Sequence, residues 1–129
     1  MTAIIKTWPA FFTSRKTREV FTHEWASFFF TLGRGRPKTT PTEIYFTHRG
    51  RILGHFAIAE VVRNEGQLPK LRSIAERESE WQIRPDAWVA VCPPPFMPLE
   101  EPLFFAGFRG WRYFDIEKHR GTIESRVRL

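Results

Sequence analysis

The stretch EIYFTHRGRILGHFAIAEVV, Glu43 to Val62, decides how the rest of the chain is read. Its first part alternates. Ile44 and Phe46 fall on one side and Tyr45 on the other, the period of two that a half-buried strand requires. His48–Arg51 follows as a turn carrying Gly50. Ile52–Val62 is then the longest strand candidate in the chain. Gly54 lies inside that run, and an interior glycine predicts a bulge or sharp bend of the kind small closed sheets need. Two strand patterns joined by a glycine turn make 43–62 a β-hairpin.

Downstream, Leu68–Trp81 carries the clearest helical pattern, with Leu71, Ile74, Ala75 and Glu78 on one face, and Pro85 bars its continuation. Ala87–Cys92 is a strand with Trp88 on one face and Val89 and Val91 on the other. Pro93, Pro94, Pro95, Pro98 and Pro102 force an extended connector that cannot donate to a central ladder. Phe104–Phe108 and Trp111–Ile116 are the last strand candidates, broken at Gly107 and Gly110. Upstream, GRGRPKTTP at 33–41 is a flexible loop. Glu24–Leu32 reads as a helix, because Trp25, Phe28, Phe29 and Leu32 recur at i, i+3, i+4 and i+7, although Phe28–Phe30 is also a β-prone run. Arg18–Phe21 reads as a short strand, Pro9–Ser14 as a helical turn or loop, and Thr2–Trp8 as a β-prone opening. Five to seven short strands with two or three helices give an α+β expectation: a small, strongly bent β-barrel plugged by helices.

The 129 residues allow one domain, with a core over about 4–116 and a polar tail at 117–129. Apolar residues at 42% and charged residues at 26% exclude a disordered chain. Aromatic residues reach 16%, so large rings such as Phe28, Phe46, Phe56 and Phe104 are expected to build the core. No apolar run reaches the ~18 residues of a membrane span, and the start lacks the order of a secretory signal. Cys92 stands alone, and no Cys/His cluster has zinc spacing. The expectation is a cytoplasmic protein that needs no metal or cofactor and binds no membrane. Net charge is +6 and uneven: residues 1–72 hold 12 Lys/Arg and 5 Asp/Glu, or +7, against −1 for 73–129. A field of that sign attracts phosphate polymers.

Three segments carry a family likeness. IIKTWPAFFTSRKTREVF (4–21) has an apolar strand, a proline, a short helix and then the register of a G-x-K-x-x-E-x-R motif, occupied here by Ser14, Lys16, Glu19 and Phe21. IYFTHRGRILGHFAIAEVV (44–62) and PLEEPLFFAGFRGWRYF (98–114) follow in matching order. The chain thereby resembles the PUA-like superfamily, within it the ASCH and EVE branches, over most of 4–116. The Lys and Glu of the first motif are kept; its Gly and Arg are not. The resemblance implies a curved barrel with a cleft that reads RNA or DNA, single-stranded or modified bases preferred. It also implies an alternative, a metal-independent amidohydrolase or nuclease of the ASCH kind.

The candidate residues follow from this. Arg15, Lys16 and Arg18, then Arg34, Arg36 and Lys38, then Arg49 and Arg51 form three cationic clusters within 37 residues. His48, Arg109 and Arg112 lie beside turns where they too can meet phosphate. Trp8, Trp111 and Tyr45 are the candidate rings for stacking an unpaired base. Were the protein an enzyme, Lys16 would be the base or nucleophile, Glu19 its carboxylate partner and Thr17 a nearby hydroxyl. A third class, a protein-binding module such as a viral or mobile-element inhibitor, is permitted by the small size.

Overall fold

The computed structural model describes residues 2–7, 28–64, 86–105, 108 and 110–120. They form eight strands: β1 (Ala3–Thr7), β2 (Phe28–Gly33), β3 (Glu43–His48), β4 (Arg51–Ala57), β5 (Glu60–Arg63), β6 (Trp88–Cys92), β7 (Met97–Phe104) and β8 (Trp111–Phe114). One short helix, α1 (116–120), follows β8. The elements expected at Pro9–Ser14, Arg18–Phe21 and Leu68–Trp81 lie outside the described residues.

The strands make two open sheets, ordered β7-β4-β3-β1-β8 and β2-β6-β5. This corrects the expectation of an α+β barrel of five to seven strands with two or three helices. The described residues are mainly strand, neither sheet closes on itself, and α1 is the one helix among them. The physical reason lies in the chain's corners. The run from Ile52 to Val62 is two strands, not one: β4 belongs to the five-stranded sheet and β5 to the three-stranded one. The proline run after Cys92 returns the chain from β6 to β7, again from one sheet to the other. Strands that change sheet at corners build two packed layers.

Between the layers lies an aromatic core. Phe56 is fully buried and its ring meets those of Phe28, Phe30 and Phe96 at 5.6, 5.5 and 5.3 Å. Phe30 and Phe46 stand 4.4 Å apart. Ile4, Ile44, Ala90 and Cys92 complete this layer. The segment read as a helix at Glu24–Leu32 is therefore corrected over its second half. Phe28 and Phe30 face this core while Phe29 joins Val89 and Val91 on the opposite face, so the alternation of a strand prevails over the helical spacing. The far face of the larger sheet is buried too: Ile5, Tyr45 and Ile52 lie beneath Leu103, Phe105, Phe108 and Phe114.

Two turns of chemistry fix the hairpin. Arg49 (φ 51°) and Gly50 (φ 77°) form its two-residue loop, and His48 pairs with Arg51. Positive φ at both loop positions is the type I′ turn, whose twist matches that of the flanking strands. Gly54 lies at two register shifts at once, where Leu53 is extra against β3 and where β7 makes an excursion before rejoining β4. A Cβ there would lie 2.7 Å from the Phe96 ring and 2.8 Å from Pro98 Cα, with the Met97 carbonyl closer still. The prolines of β7 are tolerated because it is an edge strand.

Candidate nucleic-acid interface

Pairing places several cations at one end of the five-stranded sheet. β1 and β3 run parallel, so Thr7 and Thr47 lie together and the Arg49–Gly50 turn projects from that end. Arg51 opens β4 opposite Phe104, the last residue of β7. From Phe104 the chain passes towards β8: the Phe105 amide donates to the Gly50 carbonyl at 2.8 Å, and the Phe108 carbonyl accepts from Thr7 Oγ1 at 3.0 Å. β8 then starts with Trp111 opposite Lys6. The Arg112 guanidinium lies over the Phe108 ring, 4.6 Å from its centroid. Leu32, two residues before Arg34, accepts a 2.7 Å hydrogen bond from Trp111 Nε1 and brings that arginine to the same region. From β4 to β8 is three strand intervals, about 14 Å.

Arg34, Arg49, Arg51 and Arg112 are exposed and have no ion-pair partner among the described residues. None of the described carboxylates forms an ion pair with these four arginines. Glu43 and Asp115 are at the opposite end of the sheet, Glu117 is on α1, Glu60 is on β5 of the smaller sheet, Asp86 pairs with Arg63 at 3.4 Å, and Glu100 and Glu101 sit in the β7 excursion. The second half of the loop cluster leaves this end. Arg36 stacks over Trp88 at 5.3 Å, and the Tyr113 hydroxyl, which accepts from the Thr39 amide at 3.0 Å, holds Lys38's neighbour along the β8 edge. The described members of the cationic clusters are thus divided between an end and an edge. His48 is buried, so its imidazole is not presented to a phosphate. Arg15, Arg18 and Arg109 lie outside the described residues, as do Lys16, Thr17 and Glu19.

The rings also sort differently. Tyr45 is buried against Ile5 and Ile52, 4.8 Å from the His55 ring and edge-on to Phe114. Burial raises its pKa; the charge of Glu43 and a hydrogen bond to it add to the rise, and Arg120 opposes it. A ring so enclosed cannot receive a base. Trp111 is half-buried against the inter-sheet core, edge-on to Tyr113, with its N–H given to Leu32. Its role is to pin β2 to β8. Trp8 lies outside the described residues. Phe104, expected in the core, is instead 62% exposed.

Sequence reading passed over Lys6. It shares the inter-sheet side of β1 with Ile4, between Phe46 on β3 and Trp111 on β8. Burial holds its pKa below the ordinary 10.5, with no carboxylate contributing. Period-2 alternation from the apolar Ile4 would have placed it inward, but a lysine near the end of a strand reads as solvated.

Among the described residues no group of three or more His, Cys, Asp or Glu is arranged to hold a metal ion. No helix among them is long and apolar enough to cross a membrane. No protein-family model, curated protein or solved structure matches the chain.

Proposed function

We propose that this protein binds nucleic acid through the end of the five-stranded sheet formed by the Arg49–Gly50 turn, the start of β4 and the start of β8. The observation that carries this reading is the grouping of Arg34, Arg49, Arg51 and Arg112 at that end, exposed and without carboxylate partners among the described residues. An arginine fork suits phosphate oxygens, and several such contacts release counterions and give affinity without base specificity. The net charge of +6 adds long-range attraction for a polyanion. Arg49 supports the reading from another direction. A long side chain is held at a left-handed position that asparagine or glycine would occupy with less strain.

Fluorescence anisotropy of a short labelled RNA tests it. The protein is expected to bind at about 50 mM salt and to lose affinity linearly on a log–log plot towards about 200 mM. Absence of binding at the lower salt would overturn the proposal.

A further inference from the structure

We propose that the nucleic acid taken at this end is single-stranded, and that Phe104 is the ring on which one of its bases stacks. The inference rests on the reading above. Phe104 is the most exposed large apolar side chain among the described residues, at 62%. A single exposed phenylalanine is ordinary on a protein surface. This one differs in what fixes and surrounds it.

Its backbone is held on both sides. The carbonyl of Phe104 accepts from His119 Nε2 at 2.7 Å, and the next amide, of Phe105, donates to the Gly50 carbonyl at 2.8 Å. The ring edge lies beside Gly50, where a Cβ would come 3.8 Å from Phe104 Cε2. Gly50 is the residue between Arg49 and Arg51, and Arg51 is the register partner of Phe104 across the β4–β7 ladder. A ring on a backbone fixed by two hydrogen bonds therefore projects beside two arginines that have no ion-pair partner among the described residues. Stacking needs an accessible π-face on a fixed backbone, with cations within reach of the flanking phosphates. Duplex bases, already stacked on each other, cannot use such a ring.

A protein partner is the weaker fit. Met97, 49% exposed, lies at the other end of β7 opposite His55, and Tyr113, 47% exposed, is on β8. Among the described residues the large exposed apolar groups are thus dispersed singly and make no continuous patch of the kind that marks a protein interface. The charge around Phe104 favours a polyanion.

The experiment compares Phe104→Ala and Phe104→Trp with the unaltered protein on three probes: single-stranded RNA, the same sequence as duplex, and heparin, a polyanion without bases. Circular dichroism melts check that each variant is folded. Phe104→Ala is expected to weaken single-stranded binding by about tenfold or more, since a stacked base contributes ~1–3 kcal/mol. Duplex binding, heparin binding and the salt slope should stay unchanged, and Phe104→Trp should match or exceed the original affinity. Equal binding of single strands by Phe104→Ala and the unaltered protein overturns the stacking role and leaves the cationic end standing. An equal loss on all three probes overturns it as well, because charge or fold would then explain the loss. If the unaltered protein holds neither heparin nor RNA, the reading beneath this inference fails instead.

Discussion

Replacing Gly54 by alanine should destabilise the protein, although alanine ordinarily stabilises at compatible glycine positions by about 0.4–1 kcal/mol through the unfolded chain. The added methyl would overlap the Phe96 ring at 2.7 Å, Pro98 Cα at 2.8 Å and the Met97 carbonyl more severely. Two of those three obstacles are backbone, so no rotamer change relieves them. β7 must move away from β4, which strains the Gly54–Pro98 and His55–Met97 pairs and the seat of Phe96 against Phe56. Overpacking of this kind costs about 1–3 kcal/mol. The net expectation is a loss of about 1–2 kcal/mol, measured as a lower urea midpoint with an unchanged m-value. Gly35→Ala supplies the internal comparison. Nothing lies within 4 Å of a Cβ at Gly35, and its φ is not in the left-handed region, so that variant should be neutral or slightly more stable. A Gly54→Ala protein as stable as the original, or one ranking with Gly35→Ala, would refute the double register shift on which the argument stands.

Three further outcomes are expected. Arg49→Asn should raise stability by about 0.5–1 kcal/mol, because asparagine suits the φ of 51° that arginine occupies under strain, while weakening RNA binding; denaturant melts and anisotropy together read the trade. Trp111→Phe keeps an aromatic ring but leaves the Leu32 carbonyl without its donor, which should cost about 1–3 kcal/mol, read as a lower denaturant midpoint. Lys6→Met should stabilise the fold most at pH values below the lowered Lys6 pKa, where the original must bury a charge. Between that pKa and the ordinary 10.5 the unfolded chain holds more protons than the folded one, so the stability of the original rises with pH and the difference between the two proteins shrinks. A difference that stays constant over this range, measured by denaturant melts at stepped pH, would contradict the burial of the lysine.

The hairpin was legible because its determinants are local. Alternation at Ile44, Tyr45 and Phe46, the Arg49–Gly50 turn and the interior Gly54 each act within a few residues. The alternation of Trp88 against Val89 and Val91 was legible for the same reason. What escaped depended on distant partners. Phe28–Phe30 satisfies both helical and strand spacing, and its pairing with Val91 and Ala90 decides between them. Ile52–Val62 is uniformly β-prone, and nothing local reveals that its two halves join different sheets. The same holds for the site. Turn cations at Arg49 and Arg51 were readable from composition, but their separation from Arg36 and Lys38 follows from strand order. Tyr45 and Phe104 exchanged their expected places because aromatic character states a preference for burial and not a location. The cover over Tyr45 is supplied by Phe105, Phe108 and Phe114, about half the chain away.

The salt dependence of RNA binding by an Arg49→Gln/Arg51→Gln double variant tests the central claim most directly. For a single strand each engaged phosphate contributes about −0.7 to the slope of log K against log salt, so removing two contacts should flatten the slope by about 1.4 and weaken binding at every salt concentration. A variant whose slope and affinity both equal those of the original would contradict the account, because the arginines at the hairpin turn would then face no phosphate.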